Sequence, residues 1–256
     1  MVSAAAARQV VGVLGNVISC GLFLSPLPTF YSIYKKGAVE DYSPNPYVVT
    51  VVNCALWIYY GAIHPDSIFV ITINAAGLFI ELLYIIFYFI YASNKQRKSV
   101  GIKSLIGIAG IMLVMLPLSF IPMSKSLQGL LIGLACVIVN IGMYAMPCDA
   151  IIQVYKTKSL EYMPLTLSVV GLLNGICWLT YALLRFDLFI LLSNGIGFVL
   201  GLIQVGVFAY YWFKYPQPKN PNLFKSGYNW LKSKMNNKIV DEKVTGGGKV
   251  ELSDIV

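Results

Sequence analysis

Charged side chains are scarce in this chain of 256 residues, of which only 12% are Asp, Glu, Lys or Arg, about half the share in soluble domains. Histidine occurs once, and the five cysteines have no CxxC spacing, so we expect neither a zinc site nor a disulfide framework. ATP-binding motifs, nucleophile–base spacings and metal-ligand clusters are also missing from the sequence. We therefore expect neither an enzyme nor a bound cofactor.

Apolar residues, by contrast, make up 57% of the chain and fall into seven long blocks. A helix needs roughly 20 apolar residues to cross the hydrocarbon of a membrane. Helices are expected because lipid offers no partner to an exposed backbone group. Strands of a membrane barrel would alternate apolar and polar residues, which these blocks do not. The predicted spans are Val10–Tyr34, Pro46–Ile63, Ile68–Ala92, Ser104–Pro122, Leu127–Tyr155, Pro164–Leu184 and Leu188–Phe213.

The formal net charge of +8 indicates an orientation rather than a nucleic-acid partner. If Met1 lies outside, sixteen of the nineteen Lys and Arg residues fall in cytoplasmic loops or in the tail. Cytoplasmic loops are the ones that collect basic residues. We therefore expect an outer N-terminus and a cytoplasmic C-terminus. The plasma membrane is favoured, and a vacuolar or other internal membrane stays open.

The chain aligns with itself at an offset of 121 residues. The matched pairs are Pro26 and Pro147, Tyr34 and Tyr155, Asn53 and Asn174, Trp57 and Trp178, Tyr60 and Tyr181, and Asp66 and Asp187. One residue of slippage aligns Asn74 with Asn194, and a three-residue gap aligns Pro46 with Pro164. Agreement between so many uncommon residue types predicts two copies of one unit.

Each unit has three spans, so the fourth span must reverse the chain before the second unit begins. This predicts an all-α membrane protein with seven helices in a 3+1+3 plan, in which both repeats point the same way. The expected segments are a first repeat at 8–94, a linker helix with its loops at 95–126, a second repeat at 127–214 and a disordered, cytoplasmic basic tail at 215–256. Parallel repeats place a substrate site at their interface near mid-membrane.

Five short segments resemble the SWEET sugar facilitators, the eukaryotic relatives of the bacterial SemiSWEET transporters. They are Pro26-Leu27-Pro28-Thr29-Phe30, Thr72-Ile73-Asn74, Tyr144-Ala145-Met146-Pro147, Glu161-Tyr162-Met163-Pro164 and Ser193-Asn194-Gly195. The resemblance covers about residues 8–213 and is greatest to plant members. This family is an established example of parallel repeats. The resemblance implies sugar as the small-molecule partner and allows a homo-oligomer, which the residues themselves do not predict.

Asn74 and Asn194 match the family's sugar-binding asparagines and occupy the third helix of each repeat. An amide donates and accepts hydrogen bonds without carrying a charge, which suits sugar hydroxyls. Hydrogen bonding between membrane helices is the alternative role.

Trp57 and Trp178 are expected to form walls of the same pocket, because an indole face packs on the apolar face of a pyranose. The alternative is packing or an interfacial belt. Asn53 and Asn174 lie one helical turn earlier on the same face and are candidates for the same cavity. Family members often have a smaller residue at these two positions, which leaves the size of the pocket open.

Four prolines lie toward the predicted cytoplasmic ends of their helices: Pro26, Pro46, Pro147 and Pro164. Proline removes a backbone hydrogen bond and kinks a helix, which gives the chain a place to bend. A single proline of this kind is usually a helix start or a static kink. The set resembles the family's proline tetrad, which implies a role in closing an inner gate.

Tyr60 and Asp187, one from each repeat, match the family's outer gate pair. A hydrogen bond from the phenol to the carboxylate would hold that entrance shut. Their repeat mates, Tyr181 and Asp66, are expected to make the reciprocal contact. An ordinary interfacial tyrosine and a loop aspartate are the alternative interpretation.

Glu81 is a carboxyl inside a predicted span, which is a functional hypothesis by default. Its repeat equivalent is Gly201, and the nearest other acid within a span is Asp149, at the inner end of the fifth. We expect a structural role for Glu81, although a proton-coupled sugar transporter stays open as an alternative.

The function that we expect is bidirectional, facilitative sugar transport by a uniporter that works by alternating access. Two tryptophans narrow the predicted cavity, which favours a monosaccharide such as glucose, while the extra asparagines keep sucrose open. A seven-helix receptor is the alternative from a different class. The duplicated plan, with its paired asparagines and prolines, disfavours that alternative.

Overall fold

The computed structural model describes residues 3–215, in which every regular element is a helix. The helices are α1 (Ala4–Phe23), α2 (Leu27–Lys36), α3 (Asn45–Ile63), α4 (Ile68–Tyr91), α5 (Asn94–Phe120), α6 (Lys125–Met143), α7 (Ala145–Thr157), α8 (Leu165–Leu184) and α9 (Leu188–Lys214). A short 3-10 helix, Leu160–Tyr162, precedes α8. The prediction of a disordered tail concerns residues 216–256 and lies outside the described residues.

Within residues 3–215, seven helices or helix pairs are long and apolar enough to cross a membrane, as predicted. The first span is α1 with α2 (Ala4–Lys36), and the fifth is α6 with α7 (Lys125–Thr157). The fourth span begins ten residues before the predicted Ser104. Its start is fixed by a capping box, in which the side chains of Ser93 and Gln96 each accept from the other residue's backbone N–H.

The four prolines divide into two kinds of position. Pro26 lies at the break between α1 and α2, and Pro147 lies in the first turn of α7, directly after the break that follows α6. These are the expected interruptions of a span. Pro46 and Pro164 instead lie at the starts of α3 and α8, where a missing N–H costs no helical bond. The expectation that each proline kinks a helix is therefore wrong for this second pair.

The two repeats contact each other through reciprocal helix pairs. In each repeat the third span packs on the first and the second: α4 on α1 and α3, and α9 on α6 and α8. Between the repeats, α1 packs on α8 in the same way that α6 packs on α3. The linker helix α5 packs mainly on α3. The centre of the protein is thus formed by one surface from each repeat.

Glycines at matched positions allow close packing within each repeat. Gly12 lies against the ring of Phe69, and Gly133, 121 residues later, lies against the ring of Phe189. A Cβ atom on Gly12 would come within 2.5 Å of the Phe69 ring. These contacts repeat the same structural solution in both copies, at positions where only a residue without a side chain fits.

Candidate functional site

A cavity of about 590 Å³ lies between the two repeats. All six residues predicted to bind a ligand line it: Asn53, Asn74, Asn174, Asn194, Trp57 and Trp178. They come from α3 and α4 of the first repeat and from α8 and α9 of the second. The walls are mostly apolar with a few polar groups, as is typical of small-molecule sites. Among the described residues, no charged side chain lines the cavity.

Asn74 and Asn194 have the same side-chain geometry. Each Nδ2 donates to the carbonyl oxygen four residues earlier, that of Val70 at 2.8 Å for Asn74 and that of Ile190 at 2.9 Å for Asn194. These bonds fix the amide planes against their own helices. Each amide keeps its oxygen and a second N–H for a ligand. The interpretation as hydrogen bonds between helices does not fit, because the described bonds stay within one helix.

Trp57 and Trp178 are buried between the repeats, with only 6% and 7% of their surface exposed. The Trp178 Nε1–H donates to Ser19 Oγ at 3.0 Å, and the Trp57 Nε1–H donates to Asn140 Oδ1 at 3.4 Å. This burial within the protein excludes the alternative of an interfacial belt, whose tryptophans face the lipid headgroups. Both indoles are instead walls of the cavity whose polar edge has a partner, as buried tryptophans require.

Asn53 and Asn174 differ, although they occupy matched positions. The oxygen of Asn174 accepts a hydrogen bond from the Ser19 hydroxyl at 2.6 Å. The Asn53 oxygen is buried and has no hydrogen-bond partner among the described residues. A buried acceptor without a donor is unfavourable by about 1–3 kcal/mol. The matched asparagines therefore differ, since the oxygen of Asn174 has a donor and that of Asn53 is buried without one.

Sequence reasoning missed several polar residues that line the same cavity, namely Ser19, Ser25, Thr50, Asn140, Tyr144, Ser168 and Gln204. Ser19 and Asn140 had a signal in the sequence, because they too are 121 residues apart. A search restricted to identical residue types passes over a serine matched to an asparagine. Both are short side chains with a hydrogen-bond acceptor, which is the property that their site requires.

One end of the bundle is closed by a hydrogen bond between the repeats. The Tyr60 hydroxyl donates to both carboxylate oxygens of Asp187, at 2.8 and 2.9 Å. Asp187 also accepts from the backbone N–H of Ile190 and so caps α9. The ring of His64 stacks on Tyr60, with centroids 3.9 Å apart. Tyr60 is 1% exposed, and neither member of the pair lines the cavity.

The repeat mates, Tyr181 and Asp66, meet in a different way. The Tyr181 hydroxyl donates to the main-chain carbonyl of Asp66 at 3.1 Å, and the Asp66 carboxylate pairs with Arg185. The guanidinium of Arg8 lies 3.9 Å from the centre of the Tyr181 ring. The expectation of a reciprocal contact is thus corrected, because the phenol bonds the backbone and leaves the carboxylate to an arginine.

The cavity extends toward the opposite end, which contains the proline positions. Pro147 and Pro164 line it, together with Tyr162, which is 50% exposed. Pro26 and Pro46 do not line it in the described part of the chain. The cavity is therefore closed at the Tyr60 end and reaches the surface near Tyr162.

Glu81 lies outside this cavity although it shares a helix with Asn74. Its side chain is 4% exposed, and Oε2 has no hydrogen-bond partner among the described residues. Asp149 is exposed and lines a smaller depression beside the cavity. Neither carboxyl group is placed to contact a ligand between the indoles.

Comparison with known proteins gives a consistent result. The family described as "Sugar efflux transporter for intercellular exchange" matches the chain twice, at residues 9–96 and 130–216. The bidirectional sugar transporter SWEET7b of Oryza sativa subsp. japonica is 43% identical over 225 residues, which cover 87% of this chain and 85% of the relative. The bidirectional sugar transporter SWEET4 of Arabidopsis thaliana is 45% identical over 222 residues, which cover 85% and 87%.

Among solved structures, that of a eukaryotic SWEET transporter is similar to this fold with a TM-score of 0.76. The sequence identity is 31%, and the match covers 80% of this chain and 96% of that chain. The arrangement of helices described above is therefore shared with a solved relative.

Proposed function

Because this chain belongs to the SWEET family of sugar transporters, and is thus a multi-pass membrane protein that transports sugar, we propose that it is a uniporter with the central cavity as its sugar site. The alternative of a seven-helix receptor is set aside by this membership. The observation that carries the proposal is a cavity with walls from both repeats and no charged side chain among the described lining residues. Such a site suits a neutral, hydroxyl-rich ligand.

Sugar binding involves two kinds of contact. The amide oxygens of Asn74 and Asn194 accept hydrogen bonds from sugar hydroxyls, since one N–H of each amide is already bonded to its own helix. The faces of Trp57 and Trp178 pack on the apolar C–H surface of the ring. Asn53 lines the same space, but its amide oxygen becomes available to a sugar only if the side chain rotates out of its buried position. Each repeat thereby contributes one asparagine and one indole.

A monosaccharide such as glucose is the proposed substrate. The cavity volume of about 590 Å³ is within the range of small-molecule sites and by itself admits a disaccharide. The side chains of Asn53 and Asn174 extend into this space beside the two indoles. The cavity volume already excludes these side chains, so glucose is favoured over sucrose by the two indoles, which narrow the space between the repeats.

Alternating access accounts for a cavity that is closed at one end. Breaking the bond between Tyr60 and Asp187 opens that end, while bending at Pro26 and Pro147 brings α2 and α7 together at the other. Pro46 and Pro164, at the starts of α3 and α8, complete the inner gate. The distribution of basic residues supports an outer position for the Tyr60 end and a cytoplasmic position for the prolines. The plasma membrane is the proposed location.

Uniport is favoured over proton coupling by the position of the carboxyl groups. A coupled site requires an acid that the ligand or the moving gate contacts. Glu81 does not line the cavity in the described part of the chain, and its repeat equivalent is Gly201. Flux then follows the sugar gradient in either direction.

Uptake of labelled glucose into proteoliposomes tests the site. We expect Asn74→Ala to lower uptake at least tenfold, because the amide oxygen contacts the sugar. Asn94→Ala is the matched control, since Asn94 is an exposed asparagine at the start of α5. Unchanged uptake by Asn74→Ala, or an equal loss in both variants, would remove the proposed role of the cavity.

A further inference from the structure

One hydrogen bond ties each cavity indole to the opposite repeat. Trp178, in α8, donates to Ser19 in α1, and Trp57, in α3, donates to Asn140 in α6. The nitrogen–oxygen distances are 3.0 and 3.4 Å. Neither acceptor belongs to the same repeat as its indole. The orientation of each ring therefore depends on how the two repeats are placed relative to each other.

The two bonds are equivalent under the internal repeat. Ser19 and Asn140 are separated by 121 residues, as are Trp57 and Trp178. A hydroxyl in one copy and an amide oxygen in the other serve as acceptors for the same donor. Two unlike residues that make the same contact at matched positions indicate that the contact, rather than the packing of a particular side chain, is what both sites have in common.

We propose that Ser19 and Asn140 are positioning residues that orient the Trp178 and Trp57 indoles toward the sugar from across the repeat interface. The inference rests on the proposed function, in which the indole faces pack on the sugar ring. A buried indole N–H that loses its acceptor is unfavourable, so the ring rotates to find another partner or water. Its face then no longer lies flat against the ligand.

Ser19 holds its indole more firmly than Asn140 does. The Ser19 hydroxyl accepts from Trp178 and donates to the oxygen of Asn174 at 2.6 Å, which forms a continuous chain of three groups. In the other half Asn140 has no corresponding described bond to Asn53, whose oxygen is unpartnered. The shorter bond and the additional link predict that removing the Ser19 hydroxyl has the larger effect on the sugar.

A double-variant comparison separates positioning from a merely structural bond. We would measure glucose equilibrium exchange in proteoliposomes and compare the half-saturation concentrations of Ser19→Ala in three backgrounds: wild type, Trp178→Phe and Trp57→Phe. Phenylalanine keeps an aromatic face but has no N–H. In wild type we expect Ser19→Ala to raise the half-saturation concentration about 2- to 12-fold, the range for one hydrogen bond, with the maximal rate within twofold.

The expected pattern is specific to the bonded pair. In the Trp178→Phe background the logarithm of the factor caused by Ser19→Ala falls by at least half, because the bond is already lost and only the contact with Asn174 remains. In the Trp57→Phe background the effect is undiminished. The same factor in all three backgrounds would overturn the inference.

The repeat mate supplies a second comparison if Ser19→Ala does not fold, as judged by gel filtration. Asn140→Ala is then measured in wild type, in Trp57→Phe and in Trp178→Phe. A smaller effect in Trp57→Phe alone supports the positioning role, and the same factor in all three backgrounds overturns it. Failure of the proposed sugar site can be distinguished from failure of the positioning role. Unchanged exchange in both Trp57→Ala and Trp178→Ala overturns the proposed function together with this inference. If exchange is reduced in those two variants but Ser19→Ala has the same factor in every background, only the positioning role is overturned.

Discussion

The hydroxyl of Tyr60 offers a direct way to weaken the closed end of the cavity. It donates to the two carboxylate oxygens of Asp187 at 2.8 and 2.9 Å, across the interface between the repeats. Tyr60→Phe removes this bond and keeps the ring. The edge contact with Trp57 and the stack on His64 therefore remain.

The size of the effect follows from the nature of the acceptor. A hydrogen bond to a charged group contributes about 1.5–3 kcal/mol to stability. Because about 1.4 kcal/mol is a factor of ten in an equilibrium constant, Tyr60→Phe should shift the equilibrium toward an open Tyr60 end by about 10- to 150-fold. In the open state the Tyr60 hydroxyl and the Asp187 carboxylate are both hydrated, so the substitution removes no protein hydrogen bond from that state.

Hydrogen–deuterium exchange of the purified transporter measures this shift at the ends of α3 and α9 that carry Tyr60 and Asp187. Amide exchange reports the free energy of local opening. The matched control is Tyr181→Phe. In the wild type the Tyr181 hydroxyl donates to the neutral main-chain carbonyl of Asp66. A neutral bond of about 0.5–1.5 kcal/mol predicts only about a 2- to 12-fold effect. Equal acceleration in the two variants, or a larger one in Tyr181→Phe, would contradict a role for the Tyr60–Asp187 bond in holding this end closed.

Three further predictions concern coupling, bending and packing. Glu81→Gln should transport glucose at the wild-type rate with an unchanged pH profile, because this buried carboxyl does not line the cavity in the described chain. If transport by the variant no longer depended on pH, the proton-coupled alternative would be supported instead. Pro26→Ala should slow glucose exchange at saturating sugar at least fivefold, whereas Pro117→Ala, inside the linker helix, should leave the exchange rate unchanged. Equal exchange rates in the two variants would rule out the proposed hinge at Pro26. Gly133→Ala should lower the melting temperature in detergent, since overpacking costs about 1–3 kcal/mol. Gly142→Ala, on the same helix, should not lower it, because a Cβ atom there meets open space. Equal shifts in melting temperature would contradict the close packing at Gly133.

The spans were predictable because the membrane imposes their length and composition. The predicted and observed starts of the third span coincide at Ile68, where an apolar run follows a proline-containing loop. The fourth span was predicted too short, since the turns from Asn94 to Lys103 are polar. Outside the hydrocarbon, helix formation depends on capping and local contacts, which hydropathy does not register.

The candidate site was partly predictable because the internal repeat marks pairs of identical residues. Asn74 and Asn194 were found in this way, and both line the cavity. Ser19 and Asn140 were missed because the copies have diverged in residue type at that position. A bond made by unlike residues becomes visible only when the two helices are placed side by side.

The difference between the two tyrosine–aspartate pairs was not predictable from their matched positions. Asp66 has a left-handed backbone with φ of 58°, whereas Asp187 has φ of −130° and caps α9. Arg185 and Arg8 surround Asp66 and Tyr181 in one copy, while the corresponding positions in the other are His64 and Gly129. Symmetry of residues at the gate thus does not extend to symmetry of charge around it.

Transport through the cavity between the repeats can be measured as equilibrium exchange of labelled glucose, with equal sugar and equal pH on both sides of a proteoliposome. A uniporter that alternates around the cavity between the repeats exchanges label under these conditions, and Asn74→Ala or Asn194→Ala reduces the exchange at least tenfold. Exchange that appears only when a pH gradient is imposed would contradict uniport, and exchange at the wild-type rate in both asparagine variants would contradict a sugar site in this cavity.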